Sequence, residues 1–213
     1  MADHAATHAA THAVSHAVTH AVHDPNIGNT GLDHRKMGMW AFLGSDCMFF
    51  GSLIGTYLAY KGKSISGPTP HDVFDIPLTS YSAALLLASS LTMVLALAAL
   101  QDNRVKVAAG WLLATAAMGL HFVLNQVYEF WTFVHHHDLT LSTSLFGSTF
   151  FVLTGFHGAH VTGGVIWLLL LVSLAWRGQL DRRDYTKVEI AGLYWHFVDI
   201  VWIAIFTIIY LIP

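Results

Sequence analysis

A single cysteine, Cys47, is all the thiol chemistry available in 213 residues. That excludes an intrachain disulfide, covalent attachment of c-type haem through C-x-x-C-H, and a cysteine-bridged copper centre. Charge is also scarce. Only 11% of residues are Asp, Glu, Lys or Arg, and none falls between Asp138 and Arg177. With ten Lys and Arg in total, no nucleic-acid partner is expected. The first 36 residues lack the basic and apolar regions of a secretory signal, so the first apolar helix is expected to act as an uncleaved anchor. Three of the five prolines, Pro68, Pro70 and Pro77, gather in one loop, Gly62–Pro77.

What remains is apolar. Hydrophobic residues make up 54% of the chain and the mean hydropathy is +0.54, a membrane composition. Five apolar stretches, about 37–60, 78–100, 107–130, 145–176 and 190–212, each reach the ~20 residues that a bilayer core requires. The fold class is therefore all-α, a polytopic bundle of five transmembrane helices spanning 37–213. Residues 1–36 form a separate His/Ala-rich tail, with His4, His8, His12, His16 and His20 at a spacing of four. Such a repeat suits either a metal-binding or pH-sensing helix or a solvated extension. Arg35, Lys36, Arg104, Lys106, Arg177, Arg182, Arg183 and Lys187 would share one side of the membrane, leaving Lys61 and Lys63 on the other. This bias places the N-terminus in the cytoplasm and the C-terminus outside.

The ionisable residues inside these spans are the functional candidates, because burying them in lipid is costly. Asp46 lies about 15 Å into the first helix at 1.5 Å per residue, with Gly44, Gly51 and Gly55 expected to leave open space beside it. His157 and His160, three residues apart on one helical face, are interrupted by Gly155, Gly158, Gly163 and Gly164. They read either as ligands of a metal or haem or as hydrogen-bonding groups that lock the bundle. The locking role is preferred, because no second helix offers a pair at matching spacing. His196 and Asp199 form a similar pair on the last helix. Gln126 and Glu129 end the third helix beside Tyr128 and Trp131, where Glu129 would keep some water. The second helix has no ionisable group apart from tyrosine and reads as scaffolding. His135, His136 and His137 fall in an outer loop.

Two segments carry a resemblance. Phe146–Gly164 (FGSTFFVLTGFHGAHVTGG) and Tyr194–Trp202 (YWHFVDIVW) resemble the signature helices of subunit III of the haem–copper respiratory oxidases. Gly44–Phe50 (GSDCMFF) is similar to that family's Ser-Glu-x-x-Phe-Phe, with aspartate in place of glutamate. Gln126 and Glu129 fit its Gln-x-x-Glu, and Glu189 stands seven residues before His196, as in the family.

The resemblance implies a non-catalytic subunit of an oxygen-reducing, proton-pumping complex, with no haem or copper of its own. Haem and copper would reside in the partner subunits I and II, and phospholipid would bind in a cleft against subunit I. Asp46 would support proton uptake from the side facing subunit I. His157, His160, His196, Asp199, Glu129, Gln126 and Glu189 would form a buried polar network, with no metal site and no catalytic residue. The expected complex is an aa3-type cytochrome c oxidase in a bacterial cell membrane. The alternatives are subunit III of a quinol oxidase or nitric oxide reductase, or a stand-alone cytochrome b using histidines such as His121, His135, His157, His160 and His196. Many family members have seven helices; this chain matches the shorter form that lacks the first two.

Overall fold

A computed structural model describes residues 33–61, 76–136 and 145–212. The histidine repeat, most of the Gly62–Pro77 loop and the segment 137–144 lie outside the described residues. Among the described residues there are five long helices and no strand that pairs into a sheet. They are α1 (His34–Tyr60), α2 (Ile76–Gln101), α3 (Val105–His136), α4 (Leu145–Trp176) and α5 (Tyr185–Phe206). A 3-10 turn, Arg182–Asp184, precedes α5, and a π-helical turn, Thr207–Leu211, follows it. All five helices are long and apolar enough to cross a membrane, in agreement with the hydropathy reading. In lipid the backbone groups must be satisfied within each segment, which is why uninterrupted apolar runs resolve as helices.

The helix ends depart from the apolar runs in two instructive places. The third helix continues past Phe130 to His136, so His135 is helical rather than part of a loop. Its Nδ1 is 2.9 Å from the Trp131 carbonyl and its ring stacks on Trp131. The fifth helix begins at Tyr185, one turn before Ile190, because Asp181 caps the preceding 3-10 turn through its side chain. Hydropathy marks where a helix becomes apolar, whereas capping marks where it begins.

Two turns close on left-handed residues. Gly178 has φ +69°, with its N–H bonded to the Ala175 carbonyl and that of Gln179 to Leu174. Asn103, φ 61°, ends α2 in the same way, with Arg104 N–H on Ala99. Both are Schellman closures, which satisfy the last carbonyls of a helix. The second keeps α2 and α3 as an antiparallel pair.

Helix α2 packs on α3 and α5, and α4 also packs on α3 and α5, so the four close into a ring. Trp195 of α5 is its central side chain, 1% exposed, and donates its indole N–H to Ser89 Oγ at 2.8 Å. A Cβ on Gly164 would stand 2.9 Å from that indole, so α4 can approach α5 only where a glycine lies. From Phe42 onward, α1 meets this ring mostly through aromatic side chains. Phe50 and Tyr57 are buried, at 2% and 1% exposed.

Candidate functional site

The polar residues inside the spans are paired at several positions between helices. The first position joins α1 to α4. Asp46 Oδ2 lies 3.5 Å from His160 Nε2, and both side chains are largely buried. His160 Nδ1 lies 2.8 Å from the Phe156 carbonyl oxygen. A carbonyl can only accept, so Nδ1 carries a hydrogen. The facing Nε2 and Oδ2 can then attract each other only if one further proton lies between them, on the imidazole or on the carboxyl. At 3.5 Å the two atoms face each other without a direct hydrogen bond, and Asp46 Oδ2 has no hydrogen-bond partner. Phe50 seats edge-on against His160 at 5.0 Å, and Phe49 packs on Phe156 at 5.1 Å. Tyr194 of α5 donates to the His160 carbonyl at 3.0 Å. Ser45, next to Asp46 in the chain, does not reach the carboxylate; its hydroxyl donates to the Phe42 carbonyl at 2.7 Å.

Glycines do not open space beside Asp46. At 100° per residue, Gly44, Gly51 and Gly55 fall on the opposite side of α1 from the carboxylate. A Cβ at any of the three would meet nothing within 4 Å. Asp46 faces α4, and the smooth glycine side of α1 faces out of the chain.

His157 behaves differently from His160 one turn away. Its side chain is fully buried, stacked on Trp202 at 5.0 Å and edge-on to Phe122 at 5.8 Å. Neither ring nitrogen has a hydrogen-bond partner. It fills an aromatic box where α1, α3, α4 and α5 converge, since Phe50 also reaches it. Among the described residues, no group of three His, Cys, Asp or Glu side chains is disposed to hold a metal ion. His121 is hydrogen-bonded to Asn125 on the outer surface of the bundle, away from His157.

Gln126 and Glu129 tie α3 to two different neighbours. Gln126 Nε2 donates to the Thr154 carbonyl of α4 at 2.7 Å, and its amide occupies the space that a Cβ on Gly158 would need. Glu129 accepts a hydrogen bond from the Thr79 hydroxyl of α2 and is buried, at 7% exposed. The expectation that Glu129 keeps water overlooked the further turn and a half of α3 and the hydroxyl supplied by α2.

The remaining position joins α2 to α5. Ser90 Oγ donates to Asp199 Oδ2 and lies 3.0 Å from His196 Nδ1. Asp199 is 3% exposed. Glu189 lies two turns before His196 along a slot of about 100 Å³ that both residues line. Sequence reasoning missed Ser90, Thr79 and Ser89, because α2 reads as plain scaffold. The available signal was a pair of hydroxyls, Ser89-Ser90, in the middle of an otherwise apolar run, where an unpaired polar group would be costly.

Comparison with known proteins places these positions in context. A family profile described as cytochrome c oxidase subunit III matches residues 10–212. The chain is 41% identical to cytochrome c oxidase subunit 3 of Bacillus sp. strain PS3, over 84% of this chain and 86% of that protein. It is 39% identical to the protein of that name from Alkalihalophilus pseudofirmus, with the same coverage. Cytochrome bo(3) ubiquinol oxidase subunit 3 of Pseudomonas aeruginosa is 36% identical over 89% of this chain and 90% of its own length.

Proposed function

Because this chain belongs to the cytochrome c oxidase subunit III family of the haem–copper oxidases, we propose that it sustains proton delivery to a proton-pumping terminal oxidase through the Asp46–His160 pair. The redox centres belong to subunits I and II in this reading, and this chain supplies no ligand to haem or copper. Its contribution in this reading is a carboxyl–imidazole pair held between two helices, where each member offsets part of the other's cost of burial. The smooth glycine side of α1 is the surface that subunit I would cover, since small residues allow helices to approach closely. Asp46 lies on the other side of α1, so in this reading it acts from the α1–α4 seam rather than from a face turned to subunit I, which the resemblance implied. Phospholipid would fill the remaining apolar margins. The eight-to-two distribution of Lys and Arg favours a cytoplasmic N-terminus in a bacterial cell membrane.

The observation that carries the reading is the facing of Asp46 and His160 across α1 and α4, 3.5 Å apart inside the spans. Its test is Asp46→Asn in the assembled oxidase, which keeps size and hydrogen bonding but removes the titrating carboxyl. Expected are unchanged haem spectra and assembly, with slower proton uptake and faster loss of activity during sustained turnover as pH rises. Superimposable turnover and decay curves for the two forms would reduce Asp46 to a structural residue.

The electron donor in this reading is cytochrome c, as for an aa3-type enzyme. A quinol-oxidising complex is the second reading, favoured by the similarity to a ubiquinol oxidase subunit at almost full length. Purifying the complex through this chain and assaying it with reduced cytochrome c and with a quinol separates the two.

A further inference from the structure

Glu189, Gly192, His196 and Asp199 fall at successive one-turn steps along α5 and so share one side of it. On that side lies the slot between Met93, Val94 and Leu97 of α2 and Glu189, Gly192 and His196 of α5, about 100 Å³ in volume. Gly192 lets Met93 lie close against α5 at the slot, where an added Cβ would stand 3.3 Å from the Met93 methyl. A space of this size admits a few waters, and Glu189 and His196 supply the polar partners that water needs to stay in an otherwise apolar cleft. Glu189 is one turn from the start of α5, and His196 is about 10 Å deeper at 1.5 Å per residue.

We infer that this slot is a proton-binding site: water in it joins Glu189 to His196, and Ser90 carries the hydrogen-bonded chain on to Asp199. The hydrogen bonds specify how the proton moves. Ser90 has one hydroxyl hydrogen and gives it to Asp199, so His196 Nδ1 donates to Ser90 Oγ, and Nε2 is left as an acceptor. A proton delivered from water to Nε2 makes an imidazolium. The Nδ1–H bond then breaks as a new O–H bond forms on Ser90, while the original Ser90 hydrogen passes to Asp199. The products are a neutral Asp199 carboxyl, a Ser90 hydroxyl now donating to Nδ1, and a neutral imidazole with hydrogen on Nε2. One proton has entered and the cluster has lost one negative charge.

Among the described residues that line the slot, Glu189 and His196 are the ionisable ones. Helix α2 carries no Asp, Glu, Lys, Arg or His. Lys187, half a turn before Glu189, is paired with Asp184 at 2.9 Å. On α4, His157 is stacked on Trp202 rather than turned to the slot. Beyond Asp199 the next polar group on α5 is the Trp202 indole, which has no hydrogen-bond partner, so the chain of hydrogen bonds ends there. The site stores a proton and does not conduct it across the membrane. This inference stands apart from the role given to Asp46.

The test is infrared spectroscopy of the assembled oxidase containing the full chain, recorded as pH-difference spectra and during transfer from H2O to D2O. Asp199→Asn should remove one protonated-carboxyl C=O band that shifts promptly in D2O. If that variant does not assemble, Ser90→Thr, which keeps the hydroxyl but moves it, should displace the same band. Val94→Phe, which fills the slot, and Glu189→Gln, which removes its first acceptor, should each slow the exchange of that band by at least an order of magnitude. A band that does not exchange in the native complex marks a dry or lipid-filled slot and overturns the inference. So does exchange that neither Val94→Phe nor Glu189→Gln alters.

Discussion

Helix α1 and the ring of α2 to α5 are built from the same apolar alphabet but are held in opposite ways. In the ring, packing is dense and specific: Trp195 sits where Gly164 lacks a side chain, and Leu86, Leu112 and Val188 are fully enclosed. From Phe42 onward, α1 touches the ring with a few aromatic rings and one ion pair, while Met48 is 81% exposed. Lipid tails are as apolar as leucine, so burial from water does not bring membrane helices together. Close packing and interhelical hydrogen bonds do. The ring has both, whereas α1 has one face of rings and one face of glycine. The difference teaches that the ring is a self-sufficient scaffold and that α1 is the element left for another surface.

The strongest way to break the comparison is Trp195→Ala. It removes the largest enclosed side chain and the hydrogen bond to Ser89, and should cost ~3–5 kcal/mol. Unfolding of the purified chain in mixed micelles should then shift to much lower denaturant. A shift no larger than for a trimmed α1 residue would dissolve the distinction between the two regions. A smaller effect is expected for Ser90→Ala, which withdraws the hydroxyl shared by His196 and Asp199. Interhelical hydrogen bonds in bilayers average only ~0.6 kcal/mol and reach ~1.7, so the loss should lie in that range. Near-zero cost would mean that Asp199 finds another donor at once.

The smallest effect on the chain itself sharpens the comparison most. Gly51→Leu on α1 places a side chain where a Cβ meets nothing within 4 Å, so stability of the isolated chain should change by less than about 0.5 kcal/mol. If that face docks on another subunit, the same substitution should strip this chain from the complex during detergent washing. Full retention of the variant would leave the face to lipid.

Parts of this arrangement were legible in the chain and parts were not, and the dividing line is physical. The number of helices and the run of α4 follow from hydropathy, a sum over neighbours in sequence that needs no knowledge of the fold. The early start of α5 depends on a capping aspartate outside the apolar run, and the helical His135 on a turn of α3 beyond the interface aromatics. The deep carboxylates and imidazoles could be flagged one by one, since each is costly in lipid, but their groupings could not. Their partners come from other helices: His160 for Asp46, the Thr154 carbonyl for Gln126, Thr79 for Glu129 and Ser90 for Asp199.

The sequence by itself determined that this is a five-span membrane protein with Asp46 and Asp199 set deep within apolar spans, because each of those properties is local to a segment. Tertiary structure alone decided that Asp46 meets His160, that Thr79 answers Glu129 across 50 residues, and that Ser90 answers Asp199 across 109. It also decided that His157 and His160, one turn apart, have different surroundings. A hydroxyl on a plain apolar helix carries no local mark of its use. Its partner is chosen by which helix the bundle sets against it, and that choice rests on shape, on a glycine opposite a tryptophan, rather than on polarity.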